Sequence, residues 1–470
     1  MKKIISGLLL CFSIFCLSCK GGYKLDSLTV HGAKKDGDNY SFFNNLDSSA
    51  SLEFKAAKDG DYGLKLNLSN QQREKDLCSV KILCDDVYVC TQKISVSNNG
   101  EFSDIYINQP MHLKKGKHTL RIIVPDFGFI LKGLDIIPVD DNFLSNIKHP
   151  ELVNKNATDK AKALYKYLCD MQGKGILAGQ QIYSNLKDVE AIEKVTGKKP
   201  AVLGIDLIDY SPSRVERGTR GNTIRRAKQW AKDGGIITCA WHWNAPKDLL
   251  DLDKPEMHWY DGFRAKATKF DYTIGLKDQN SEEYQLMIRD IDTIAVQLKA
   301  LADADIPVLW RPLHEASGGW FWWGAKGADN YIQLYKMLYD RLVNYHKLNN
   351  LIWVWNGQDP KWYPGDEYVD ILSYDSYPGK RVHGTLDDEL SLIQSASSQS
   401  KLVAVSENGA LPNVTELAKN RGIWGWFCTW NGEFVMDNSG AYSGAYTEAA
   451  TIKEYYNNDY IVTLDELPKF

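Results

Sequence analysis

The chain has 470 residues, room for about two or three domains, and its 44% hydrophobic and 25% charged residues fit a globular protein and exclude a disordered one. A formal net charge of −4 excludes the basic footprint of a nucleic-acid binder, so no nucleic-acid partner is expected. All 14 tryptophans lie between Trp230 and Trp430, which separates a tryptophan-free first part from an aromatic second part.

Lys2-Lys3 precede an apolar stretch, Ile4 to Leu17, that is short for a membrane span and reads as a targeting segment. Leu17-Ser18-Cys19 then resembles the end of a bacterial lipoprotein signal, with residues 1–19 as the leader and Cys19 as the lipidated residue. Cys16 stands where leucine is usual in such signals, and an ordinary secretory leader is the alternative. Either one exports the mature chain. The first also anchors it to a membrane, facing the periplasm or the cell exterior. Cys84 and Cys90 flank Asp85-Asp86, a turn sequence, so export allows a local disulfide between them. Cys239 and Cys428 sit in apolar runs and read as buried thiols. Beyond the leader there is no C-x-x-C pair and no H-E-x-x-H run, so no metal site is expected.

Residues 20–140 read as all-β. Apolar and polar residues alternate in Ser51-Leu52-Glu53-Phe54-Lys55-Ala56, in Gly63-Leu64-Lys65-Leu66-Asn67-Leu68 and in His118-Thr119-Leu120-Arg121-Ile122. Lys58-Asp59-Gly60-Asp61 and Ser97-Asn98-Asn99-Gly100 are turn clusters between such runs. The pattern is that of a β-sandwich, and the run from Gly116 to Ile136 resembles the end of jelly-roll carbohydrate-binding modules. Without tryptophan, its candidate sugar platforms are Tyr40, Tyr62 and Tyr106; a packing or spacing role stands beside sugar binding as an equal reading. The polar stretch 141–156 reads as a linker.

From residue 157 to 470 the pattern changes to buried strands alternating with helical stretches. The strand runs are Gly175–Gly179, Pro200–Ile205, Gly235–Ala240, Pro307–Trp310, Leu351–Trp355, Tyr368–Leu372, Leu402–Val405 and Gly422–Phe427. Helical spacing covers Lys160–Met171, Lys187–Thr196, Tyr284–Ala302 and Tyr331–Tyr345. Eight such repeats over roughly 300 residues predict a (β/α)₈ TIM barrel, an α/β fold, preceded by the small all-β sandwich.

Barrel catalytic groups stand at the C-terminal ends of strands. The fourth run ends in Arg311-Pro312-Leu313-His314-Glu315, followed by four aromatics, Trp320 to Trp323; the seventh ends in Ser406-Glu407. Charges at the mouth of a buried strand are costly unless paired or used. Strands four and seven face each other, so these glutamates, 92 residues apart in sequence, can approach the roughly 5 Å spacing of a retaining glycosidase pair. Glu315, among aromatics, is then the general acid and Glu407 the nucleophile.

Arg311-Pro312-Leu313-His314-Glu315 with Gly318-Gly319-Trp320-Phe321-Trp322-Trp323-Gly324 resembles the acid/base motif of glycoside hydrolase family 26, the β-mannanases. Val405-Ser406-Glu407-Asn408-Gly409 is similar to that family's nucleophile segment. Ala240-Trp241-His242-Trp243-Asn244 and Tyr374-Asp375-Ser376-Tyr377-Pro378 are similar to its third- and sixth-strand motifs. The resemblance implies that His314 hydrogen-bonds near the nucleophile and the sugar 2-hydroxyl, and that Tyr377 donates to Glu407 and orients it. It implies that Trp430 stacks on the sugar at the cleavage point and Trp320 lines the leaving-group side. His242 and Asp375 are then expected to contact sugar hydroxyls. The implied activity is retaining endo-hydrolysis of mannan, glucomannan or galactomannan by a monomer that needs no cofactor or metal. Exo-acting mannobiohydrolysis, another β-glycan substrate, and a non-catalytic glycan-binding lipoprotein are the alternatives.

Overall fold

The computed structural model describes residues 25–42, 48–71, 78–94, 100–107, 109–124, 128–140, 143, 151–397 and 399–470. The expected leader with Cys19 and most of the expected linker lie outside them.

The first part is the expected sandwich. One antiparallel sheet runs in the order Thr29–His31, Ser49–Ala56, Gly116–Ile123, Cys78–Cys84, Val87–Ile94. The facing sheet is built on Phe129–Pro138 and Gly60–Asn70. Alternation does the work that the sequence implies: Leu64, Leu66 and Leu68 of one sheet meet Val80, Ile82, Leu120 and Ile122 of the other in a solvent-free core. Two expectations are corrected here. Cys84 and Cys90 do flank a turn, with Asp85 and Asp86 at φ 53° and 60°, but both thiols are free. Cys84 pairs with Val87 and Cys90 with Ile82, so the sulfurs are offset along the ladder instead of opposed. Burial pushes each thiol up to about 12. Tyr62 is not a platform: it is 2% exposed and its hydroxyl donates to the Lys58 carbonyl at 3.0 Å. Tyr106 packs edge-on to Phe143, and Tyr40 is half-buried.

The second part is a closed barrel of eight parallel strands, labelled β1 to β8: Ile176–Gln181, Val202–Asp206, Ile236–Trp241, Val308–Pro312, Leu351–Trp355, Ile371–Ser376, Leu402–Asn408 and Trp424–Thr429. β1 pairs with both β2 and β8, which closes the ring. Strands covered on both faces have no polar side, so they appear in the sequence as continuous apolar runs. The main outer helices are α1 Asp159–Met171, α2 Lys187–Thr196, α3 Thr223–Lys232, α4 Glu282–Ala302, α5 Ala328–Tyr339, α6 Asp387–Gln394, α7 Val414–Lys419 and α8 Ala449–Tyr456. The expected helix to Tyr345 leaves α geometry at Tyr339 and continues as a π-turn segment, Asp340–Tyr345. β6 starts three residues later than expected because Asp370 is its anchor: the buried carboxylate accepts from Trp353 N and Val153 N, each at 2.7 Å. Residues 151–156 therefore belong to the barrel, with Leu152 and Asn154 buried against it.

The sandwich docks through its edge strand. Gln394 Oε1 at the end of α6 accepts from the Tyr88 hydroxyl at 2.6 Å and from Thr91 N at 2.9 Å, and Thr91 Oγ1 meets Ser391 Oγ at 2.8 Å. A side-chain carbonyl thus caps an edge N–H that otherwise invites another strand. Gln394→Ala leaves both donors without this acceptor and is expected to cost about 1–3 kcal/mol. Calorimetry on the variant should show a lower or split unfolding transition; an unchanged single transition would mean this contact does not couple the domains.

Candidate active site

Five strand ends converge on the mouth of the barrel. β4 supplies Arg311 and, just past its end, His314 and Glu315; β7 supplies Glu407, β6 Asp375, β2 Asp206, and His242 follows β3. The turn after β4 is strained. Leu313 and Glu315 sit at φ 52° and 51°, left-handed conformations that cost a non-glycine residue roughly 1–2 kcal/mol. The turn is held because Glu315 N donates to Asn356 at the end of β5, to its carbonyl at 2.7 Å and to its Oδ1 at 3.1 Å. The burial of Leu313 fixes the other side.

Arg311 organises the floor. Its side chain is fully buried; Nη1 donates to Asp375 Oδ2 at 2.9 Å and Nη2 to Glu407 Oε1 in a short contact. Burial works against its charge, but Asp375 and Glu407 outweigh burial and raise its affinity for the proton. Glu407 Oε2 accepts from the Tyr377 hydroxyl at 2.6 Å. Burial, with the Glu407 and Asp375 charges, holds that hydroxyl well above its ordinary range, so it stays a donor. Asp375 Oδ1 accepts from Asn356 Nδ2 at 2.9 Å. Burial pushes this carboxyl upward while the guanidinium pulls against it.

Glu315 is the carboxyl without a cation in contact. One oxygen each of Glu315, Asp375 and Glu407 lie within 4.8 Å of one another. Burial first, then the Glu407 charge, raises Glu315 to about 7, against the opposing pull of the Trp320 indole, Arg311 and His242. Trp320 Nε1 donates to Glu315 Oε2 at 2.9 Å while 46% of the residue stays exposed, an open aromatic face beside the acid. His314 is buried, and its Nε2 lies 3.1 Å from His242 Nε2. Burial, His242 and Arg311 hold His314 well below the ordinary imidazole range, so it is neutral. Phe263, Phe321 and the half-buried Trp430 surround His242.

All eight residues singled out in the sequence gather here, but two differ in surroundings from what the resemblance implies. Asp375 has no exposed side-chain surface and faces Arg311 and Asn356, so it is not open to a sugar hydroxyl. His314 meets His242, and Arg311 and Tyr377 are the groups on Glu407. Trp322 and Trp323 are core packing. Asp206 and Asn356 join the site without belonging to any of the motifs above, although each directly follows a buried apolar run, the signal that also exposes Glu315 and Glu407.

A (β/α)₈ barrel presenting two glutamates this close, one held near neutrality and the other braced by donors, defines a glycoside hydrolase of the two-carboxylate class. The profile of glycosyl hydrolase family 26 matches residues 153–466, and the chain belongs to that family. It is 40% identical over 413 residues to a mannan endo-1,4-beta-mannosidase of Thermothelomyces thermophilus, spanning 86% of this chain and 83% of that protein. The structure of a GH26-CBM35 beta-(1,4)-mannanase of Podospora anserina matches with a TM-score of 0.61 at 34% identity, covering 95% of this chain and 98% of that one. A beta-mannanase from a symbiotic protist of the termite Reticulitermes speratus, complexed with gluco-manno-oligosaccharide, matches with a TM-score of 0.59 at 30% identity over 68% of this chain and 98% of that one.

Arg311→Leu leaves two buried carboxylates facing each other without a cation, an expected loss of about 3–5 kcal/mol at neutral pH. The loss should shrink as pH falls and the carboxylates take up protons, which urea unfolding at several pH values will read.

Proposed function

We propose that the protein is an endo-β-1,4-mannanase that cleaves mannan, glucomannan or galactomannan with retention of configuration. The observation that carries the mechanism is the closeness of Glu315 and Glu407: one oxygen of each lies within 4.8 Å of the other, well short of the roughly 6.5–9.5 Å between the carboxyls of an inverting pair. In the first step Glu407 attacks the anomeric carbon as Glu315 gives its proton to the departing glycosidic oxygen. In the second, Glu315 takes a proton from water, which releases the sugar from Glu407. Trp320 lies beside Glu315, which suits the leaving-group side, and Trp430, beside His242, suits the sugar at the cleavage point. The substrate class rests on the mannanase relatives. The 95% match to a two-module GH26-CBM35 mannanase supports a glycan-binding role for the sandwich. Export and lipid anchoring through Cys19 belong to the same proposal and are read by whether the full chain partitions into membranes.

Incubation with linear mannan, galactomannan, mixed-linkage glucan and xylan tests the reading. A ladder of manno-oligosaccharides with β-configured first products is expected from the mannans. Mannobiose alone would make the enzyme exo-acting, and cleavage of glucan or xylan instead would overturn the substrate. Glu315→Ala should lower kcat/KM about 100- to 10,000-fold while mannan binding survives. Because Glu315 acts protonated in the first step, kcat/KM should fall as pH rises through about 7. A profile flat from acid to pH about 9 would remove Glu315 as the acid.

A further inference from the structure

The hairpin of Cys78–Cys84 and Val87–Ile94 brings three donor groups together at one end of the sandwich. In the ladder Cys84 stands opposite Leu120, so His118, two residues earlier on the same face of its strand, reaches past the strand end over the turn. Asp85 closes the group from the turn itself. One donor atom each of Cys84, Asp85 and His118 lie within 4.8 Å of one another. Two of these side chains are held by groups outside the cluster. His118 Nε2 lies 2.6 Å from the Lys114 carbonyl, which only accepts, so Nε2 carries a proton and Nδ1 is left to the cluster. Asp85 Oδ1 accepts from Thr119 N at 2.8 Å, and Asp85 Oδ2 lies 2.7 Å from His118 Nδ1. A nitrogen lone pair and a carboxylate oxygen repel at that distance, so a cation belongs between them, either a proton on Nδ1 or a metal ion. A proton is satisfied by these two groups. A metal ion takes a third donor, and Cys84, 6% exposed, stands beside them.

We infer that Cys84, Asp85 and His118 form a binding site for a divalent transition-metal ion, Zn²⁺ by the character of its donors. Sulfur, imidazole nitrogen and carboxylate oxygen in one set suit zinc, whereas Ca²⁺ and Mg²⁺ take oxygen. The bonds outside the cluster are those of a metal site: a ligating histidine donates its other N–H to a carbonyl, and a ligating carboxylate is itself hydrogen-bonded. Three protein ligands leave the fourth tetrahedral position to water. A cavity of about 240 Å³ between sandwich and barrel, lined by these three residues with Met111, Leu417 and Trp424, gives room for that water and a path for the ion. On binding, the ion forms bonds to Cys84 Sγ, His118 Nδ1 and an Asp85 oxygen, and the protons of the thiol and of Nδ1 pass to solvent. Burial makes the thiol hold its proton tightly, so only an ion with a strong preference for sulfur displaces it. A search for C-x-x-C spacing misses the site because His118 joins from across the sheet, 33 residues from Asp85.

Cobalt reports on the thiolate. The purified full chain, stripped with a chelator and titrated with Co²⁺, should gain a thiolate-to-cobalt absorption band in the near ultraviolet. Zn²⁺ should abolish the band and Ca²⁺ should not. Cys84→Ala should remove it, while Cys90→Ala, which deletes the other buried thiol of the hairpin, should keep it. His118→Gln should weaken Co²⁺ binding at least roughly 100-fold, since it removes a ligand outright. Zn²⁺ should also raise the Tm of the wild type and leave that of Cys84→Ala unmoved. A wild type without the band, or a band that survives Cys84→Ala, overturns the proposal and leaves Asp85 and His118 as an ion pair beside a core thiol. If Cys84→Ala does not fold, His118→Gln and Asp85→Asn decide, because both side chains are partly open to water. Unchanged Co²⁺ affinity in these two variants overturns the site. None of the readouts involves mannan, so their outcome is independent of the activity proposed above.

Discussion

The site depends on one buried guanidinium. Arg311 joins β4 to the carboxylates of β6 and β7, so three strand ends are tied by one side chain with no solvent to spare. Lysine could not replace it, since only a planar fork reaches two carboxylates from two nitrogens in fixed directions. The tie also sets the two glutamates apart. Glu407 has a cation on one oxygen and a tyrosine hydroxyl on the other, which leaves it as an acceptor. Glu315 has neither, only an indole N–H and the repulsion of its neighbour, so it keeps its proton to about 7. Two identical side chains stand in opposite surroundings because of their partners alone.

The turn after β4 follows from the same arrangement. Glu315 must leave the strand line to stand over Glu407, and the left-handed Leu313 and Glu315 make that detour in three residues. The strain persists because Asn356 supplies both a carbonyl and a side-chain oxygen to one backbone N–H. Asn356 also donates to Asp375, so one amide braces the acid turn and the arginine floor together.

Much of this was legible beforehand, for definable reasons. Leu351–Trp355 and Lys187–Thr196 were read to the residue because the first has no polar side and the second has strict helical spacing. Glu315 and Glu407 stood out because a carboxylate ending a buried run needs an explanation. Asp206 ends such a run too, and could have been found by the same rule. Asp375 could not be resolved: its motif marks the mouth of the barrel, but whether it faces sugar or Arg311 depends on a contact 64 residues away. Tyr62 and the Cys84–Cys90 pair misled because alternation does not reveal which face is inward, nor a bulge that shifts the ladder.

The seat of the sandwich on α6 has a mechanical meaning. α6 is the connection between β6 and β7, the strands that carry Asp375 and Glu407. An edge strand pinned to that helix by Gln394 and Ser391 behaves as a bracket, not as a module on a swivel. The direction in which the barrel mouth points is then fixed relative to the sandwich. Any load on the sandwich passes straight into the wall behind Glu407.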